Sequence, residues 1–470
     1  MKPSLARLAL LCVIVGWCNL TDAQDLRFTS VLPTTNGVLL QWSDSVAGQS
    51  YTVQARDRLP NTIWLTLDSP QPWPTVQTQW NDTISPTQLM RFYRVVAVQP
   101  ATRGKLLSSS LTTNLGALLI DFAFYSYGIT NLTAKYGVNC YKLVYETIDP
   151  LGGRTIASGG LYVPQHSGTS WPLFSFSHTA VTETNDVPSV ALTLDAFAGV
   201  AFASIGYVSV VADLLGLGSS PGFHPFLHAR SEATASVDML RAAKIFCASN
   251  NISLNGQLFL AGYSQGGHTV MALQRELERY HTNEFTVTAC APMAGPYDMS
   301  GTELNDMLSP RCPPNAYDAA YVVVAYQSVY SLAPSWSDLL APPYDTTIPP
   351  LFNGNTSSTN INSALPACNV SSILTPAVLH SLTNDPGSPM YQAWRDNDVY
   401  RWKPIAPVRL YHCSGDQDVL PANSQVAYSS FVAEGASSVQ LIDPSPGANH
   451  DDCVIPALEA AKAWFDTLKQ

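Results

Sequence analysis

Charge is scarce in this 470-residue chain: Asp, Glu, Lys and Arg make up 13% of it, and the acids outnumber the bases 35 to 24. The formal net charge of −11 excludes the basic face that nucleic acid or an anionic membrane would attract. The chain also lacks an internal repeat, a low-complexity tract, histidines paired at metal-ligand spacing, and a phosphate-cradling Gly-rich loop opening a helix. No cofactor or metal is therefore implied. Long apolar runs are missing too. The stretch 196–212 is bounded by Asp195 and Asp213 and contains Gly199 and Gly206, so it reads as a buried helix-to-strand unit and not as a membrane span.

At the N-terminus, Lys2 and Arg7 precede an apolar run from Leu8 to Trp17, and Thr21-Asp22-Ala23 offers small residues before Gln24. This pattern predicts a signal peptide over residues 1–23 and a secreted or periplasmic protein. Its removal leaves seven of the nine cysteines, an odd number, so at least one stays free in a monomer. Export permits disulfides among the others.

Residues 25–99 form short alternating runs, among them Val38–Trp42, Tyr51–Ala55, Ile63–Leu67 and Arg91–Val96, separated by Gly, Pro, Asn and Asp clusters. They predict a small all-β sandwich. Trp42, Tyr51 and the closing Arg91-Phe-Tyr-Arg run resemble fibronectin type III-like modules of exported bacterial enzymes. Nothing in the module carries chemistry, so it either packs on the rest of the chain or binds a surface. Residues 100–110 read as a linker and 111–127 as a helix. Strands and helices then alternate to residue 470, which implies a mainly parallel, doubly wound α/β sheet. Residues 293–405 interrupt that alternation with a Pro- and aromatic-rich insert, read as a cap over the sheet's C-terminal edge.

Within the alternating part, Gln257–Ala261 reads as a buried strand and 265–280 as an amphipathic helix, with Gly262-Tyr-Ser264-Gln-Gly266 at their junction. A G-x-S-x-G between strand and helix is the nucleophile elbow, a tight turn that exposes a serine hydroxyl between two small residues. The pentapeptide alone proves little, since a chain this long carries one by chance about one time in six. A second copy, Gly218-Ser-Ser220-Pro-Gly222, has Pro221 where a helix should begin and reads as a loop.

An elbow serine needs an acid and then a histidine downstream. His412 lies inside the strand Val408–Cys413 and reads as structural. His450 lies in the loop after strand 440–442, where a base reaches back to the serine. Two carboxylates follow the 408–413 strand. Asp416 stands at the strand end, and Asp418 reads as turn-stabilising. The oxyanion donors expected are the backbone N–H of Gln265 and that of Thr179 or Ala180 in the loop after strand 172–177, with His178 holding that loop.

Several segments together resemble bacterial α/β-hydrolases related to secretory lipases. They are Ser177-His-Thr through Asp186-Val-Pro-Ser189, Ala212-Asp-Leu-Leu-Gly-Leu-Gly-Ser219, His224-Pro-Phe-Leu, Val237–Ala243 and Gly262–His268. The resemblance covers residues 111–470 and implies the α/β-hydrolase fold. In that family the acid loop commonly reads Tyr-His-Gly-x-x-Asp with a Ser eight residues on. Tyr411-His-Cys-Ser-Gly-Asp416 and Ser424 fit it, which favours Asp416 over Asp418. The family's His-Gly-Thr oxyanion loop is His178-Thr179-Ala180 here. Cys413 lies three residues before the candidate acid and Cys453 three after the candidate base, so contact between acid and base predicts a disulfide between them. Cys312 with Cys368, inside the cap, is a weaker pair.

The expectation is a serine ester hydrolase, an esterase or lipase, using Ser264, His450 and Asp416 on a small-molecule or polymer-linked ester. The alternatives are a prolyl-oligopeptidase-type serine peptidase, whose usual propeller 75 residues of sandwich cannot supply, and a catalytically silent hydrolase fold that binds a ligand.

Overall fold

The computed structural model describes residues 26–44, 46–58, 63–67, 72–83 and 90–470. The predicted signal peptide, 1–23, lies outside the described residues. Six strands form two small antiparallel sheets at the N-terminal end: β1 (Arg27–Thr34), β2 (Gly37–Ser43) and β5 (Gln79–Asp82) in one, and β3 (Ser50–Arg56), β4 (Leu65–Thr66) and β6 (Phe92–Val98) in the other. Their alternating apolar residues share one core, with Leu40 and Trp42 from β2, Tyr51 and Val53 from β3, Trp80 from β5 and Tyr93 from β6.

The rest of the chain builds a nine-stranded mixed sheet in the order β15-β14-β13-β12-β10-β11-β9-β8-β7. Its antiparallel end is β7 (Leu106–Leu115), β8 (Val138–Ile148) and β9 (Arg154–Pro164). Its parallel part is β10 (Ser170–Ser177), β11 (Val208–Ala212), β12 (Ser253–Tyr263), β13 (Val287–Met293), β14 (Val408–Tyr411) and β15 (Val439–Ile442). One boundary differs from the sequence reading. The linker and helix expected over 100–127 are instead the edge strand β7, Gly116, and the helix α1 (Ala117–Ser126). Most of β7 is exposed, so it shows no in–out alternation, and its pairing with β8 is what makes it a strand.

Helices cover both faces, as a parallel sheet requires. Helices α2 (Leu194–Ser204) and the C-terminal Val454–Asp466 pack on one side, with Phe174, Phe202 and Phe465 at the centre. Helices α3 (Ala229–Ser249) and α4 (Gln265–Tyr280) pack on the other, through Val237, Leu240, Val270 and Leu273. The segment between Met293 and Val408 is the cap, mostly short helices around Tyr317–Tyr330, closed by a Cys312–Cys368 disulfide. Its apolar core includes Tyr321, Tyr326, Ile361 and Trp394, and also Ile63, which precedes β4 in the N-terminal part.

Those small sheets therefore sit against the rest of the protein. Thr52 Oγ1 donates to Leu151 O at 2.5 Å and Arg230 to Thr66 O at 3.1 Å, while Arg58 pairs with the cap's Asp385. Among the described residues no helix is long and apolar enough to cross a membrane.

The Phe174 ring stacks on Phe202 with centroids 3.8 Å apart, fully buried in the sheet face. Phe174→Ala should destabilise the protein by about 3–5 kcal/mol through the cavity it leaves. Urea unfolding showing a loss below about 1 kcal/mol would contradict this packing.

Candidate active site

Strand β12 ends at Tyr263 and α4 starts at Gln265, so Ser264 alone makes the turn, with φ 57° and ψ −122°. A non-glycine residue held there is strained by roughly 1–3 kcal/mol, and the surroundings must over-determine it. They do. A Cβ on Gly262 would lie 2.1 Å from Gly266 O, and one on Gly266 would lie 1.9 Å from Ser177 O. Ser264 N–H donates to Met293 O at 3.0 Å, while Gly267 and His268 donate back to Ser264 O. Ser264 stays half-buried between fully buried neighbours and lines a narrow cavity of about 70 Å³ under the cap.

Asp416, fully buried in the loop after β14, is where the sequence-predicted acid and base meet. Its Oδ2 accepts from His450 Nδ1 at 2.6 Å, and its Oδ1 accepts the backbone N–H groups of Asp418 and Val419 at 2.9 and 3.0 Å. Burial alone would raise the carboxyl's pKa. Hydrogen bonds and charge from His412 and His450 outweigh that and hold it at about 2. The same contact acts on His450 in reverse. Burial pulls the imidazole down, and the Asp416 hydrogen bond and charge raise it above its ordinary value. The His450 ring lies 5.1 Å from the ring of Tyr263, whose hydroxyl donates to His450 O at 2.6 Å. The base is thereby tied to the residue preceding the serine. Cys413 and Cys453 form a disulfide between the acid loop and the segment just after His450.

His412 and Asp418 take supporting places. His412 faces Ser424 Oγ at 2.7 Å and Val419 O at 2.9 Å, fixing the acid loop. Asp418 accepts both the backbone N–H and the side-chain amide of the cap's Asn315 at 3.0 Å.

Of the two loop donors considered, the Thr179 amide is engaged elsewhere. Its N–H and hydroxyl donate to Asp195 at 3.1 and 3.0 Å, so Thr179 is corrected from oxyanion donor to loop anchor. Ala180 lines the cavity together with Ser264 and Gln265. Gln265 is the first residue of α4, where backbone N–H groups have no partner inside the helix. His178 is fully buried, its ring nitrogens against Thr179 O at 2.6 Å and Asp213 O at 3.1 Å.

Sequence reasoning missed the cap's carboxylates. Glu303, Asp306 and Asp318 line the cavity beside Asp418. Asp306 is clamped by Arg311 at 2.6 Å. Burial raises Asp318 to about 7 and Glu303 to about 8. Acids within a Pro- and aromatic-rich insert carry no motif, so no local signal marks them. Among the described residues no group of acids, histidines and cysteines is arranged to hold a metal.

No protein-family model and no curated protein matches the chain. Solved structures do. LipA of Xanthomonas oryzae, a rice cell wall degrading esterase, is 31% identical with a TM-score of 0.71, over 78% of this chain and 98% of that one. A Legionella pneumophila structure assigned as a hydrolase is 28% identical with a TM-score of 0.73, over 77% and 98%. Candida antarctica lipase A in its closed state shares the fold at 18% identity and a TM-score of 0.59, over 78% and 84%.

Because Asp416 is the partner that raises His450, the His450 resonances should titrate above the ordinary histidine value of about 6.5. In Asp416→Asn the largest opposition to burial is lost, only the weaker charges of Asp418 and Asp318 still raise the ring, and the midpoint should fall. An NMR titration in which the midpoint does not move would contradict this assignment.

Proposed function

The chain belongs to the α/β-hydrolase family of esterases and lipases that includes Xanthomonas oryzae LipA, and on that premise we propose that it is a secreted serine carboxylic-ester hydrolase acting through an acyl-enzyme. The observation that carries this reading is the 2.6 Å hydrogen bond from His450 to buried Asp416, with the imidazole packed on Tyr263 beside the strained Ser264. Two disulfides support the exported setting. The small N-terminal sheets are read as a fibronectin type III-like module that braces the cap, on the support of Ile63 in the cap core.

In the reaction, Ser264 Oγ attacks the ester carbonyl while His450 takes its proton. Asp416 accepts the Nδ1–H, so the lone pair stands on Nε2, and it stabilises the imidazolium that forms. The oxyanion is held by the N–H groups of Gln265 and Ala180. Collapse breaks the C–O bond, and the alcohol leaves with the proton from His450. Water, deprotonated by the same ring, then attacks the acyl-enzyme. The acid is released and the proton returns to Ser264.

Purified protein should hydrolyse p-nitrophenyl butyrate. Ser264→Ala should lower kcat by roughly 10⁴-fold or more, and Asp416→Asn by about 10⁴-fold through loss of the correct tautomer. Equal rates for wild type and Ser264→Ala would end the esterase reading.

A further inference from the structure

A buried chain of polar side chains lies behind the elbow, and none of these side chains is a nucleophile, base or acid in the reaction. Glu232, in the first turn of α3, is 1% exposed, yet both its carboxylate oxygens are engaged by the helix that follows the serine. Oε1 accepts from Gln265 Nε2 at 3.0 Å, and Oε2 faces His268 Nδ1 at 2.7 Å. Gln265 is 2% exposed, and its other amide proton goes to His224 Nε2 at 3.0 Å. His224 can accept it because its Nδ1 faces Leu215 O at 2.7 Å, which places the ring proton there. Burial also pushes His224 down to about 4, so it stays neutral. On the far side His268 Nε2 donates to Asn397 O at 2.9 Å, and Asn397 Oδ1 accepts Ala229 N–H at 2.9 Å.

One carboxylate thus grips residues 265 and 268, one turn apart on the same face of α4. Such a grip must do more than add stability, because burying a carboxylate costs several kcal/mol and hydrophobic residues of similar volume would hold two helices as well. Its geometric effect falls on the peptide between Ser264 and Gln265. That peptide lies between a strained φ of 57° and the unpaired first turn of a helix, where no ladder hydrogen bond fixes the Gln265 N–H. Tethering the Gln265 side chain at both amide hydrogens removes this freedom. The negative charge also sits close to the positive end of α4, which favours it.

We propose that Glu232 is a positioning residue which, through the Gln265 side chain, aims the Gln265 backbone N–H at the oxyanion. The inference rests on the ester-hydrolase reading, since it needs an oxyanion to form at Ser264. Glu232 touches no substrate, and its effect reaches the reaction through Gln265 alone.

The test uses the full-length enzyme with p-nitrophenyl butyrate, a butylboronic acid as the tetrahedral mimic, and two variants. Glu232→Gln keeps the volume and removes the charge. Gln265→Met removes the tether and leaves the Glu232–His268 contact in place, so it decides the matter should the first variant not fold. Both should lose about 10- to 100-fold in kcat, the scale of a donor displaced by about an ångström. KM should stay within about twofold, and boronate affinity should weaken in proportion to kcat. The acidic limb of the pH–rate profile should stay where it is in wild type, because His450 and Asp416 are untouched; a general loosening of the site would move it. A wild type inert towards esters removes the function proposed above and this inference with it. An active wild type whose kcat and boronate affinity survive in both variants removes this inference alone.

Discussion

The close approach of three backbones at Ser264 sets the geometry of everything around it. Gly266 lies so near Ser177 O, and Gly262 so near Gly266 O, that neither position has room for a methyl group. This contact locks the end of β12, the start of α4 and the end of β10 together. A serine at positive φ is then the conformation left to the chain between two fixed elements, and the strain is held by packing on both sides. The same contact brings the 178–180 loop, which continues from β10, beside the first turn of α4. The Ala180 and Gln265 amides proposed as oxyanion donors belong to these two segments, and the elbow brings the segments together while the Glu232 tether acts on the Gln265 side chain.

Asp416 is the second fixed point, and it is governed by opposing terms. Full burial works against a charged carboxylate, while two imidazoles and two backbone N–H groups favour it, and the balance falls far on the charged side. Because His450 is on a loop, its place depends on contacts rather than on regular structure. Those contacts are the Asp416 hydrogen bond, the Tyr263 ring and hydroxyl, and the disulfide three residues on. Each comes from a different part of the chain.

What could be read from the sequence was whatever repeats at short range or follows chain order. The alternation from Val138 onward, the strand–turn–helix around Ser264, and a loop histidine after the last strand are local patterns, and the sheet forms as they imply. The spacing of Cys413 and Cys453 about Asp416 and His450 anticipated their bridge. Features decided by distant partners stayed hidden. Leu106–Leu115 is a strand because β8 pairs with it, though it is largely exposed and shows no alternation. The amide of Thr179 is taken by Asp195, sixteen residues on, which no reading of the loop by itself could weigh. Glu232 sits in a helix among small residues, and nothing in its neighbourhood announces that Gln265 and His268 will close on it.

A chain so poor in charge keeps a notable share of its acids inside. Asp213, Glu232 and Asp416 are buried and Asp195 is half-buried, and each restrains a loop or turn at the sheet's C-terminal edge. Asp195 holds Thr179, and Asp213 accepts from Ser158 and from the Ser189 N–H. Glu232 holds Gln265, and Asp416 holds His450. A hydrophobic side chain could fill any of these sites at lower desolvation cost, but dispersion contacts are non-directional and leave a loop free to slide. A buried carboxylate with every oxygen engaged tolerates little displacement, since a partner that moves away leaves a charge without compensation. Stability of this kind is directional, and it is concentrated where a reacting carbonyl would have to meet a nucleophile, a base and two donors at once. The cap's Glu303 and Asp318 lie over the same cavity with burial raising both, so the polar, position-specific character of the sheet edge extends into the lining that closes over it.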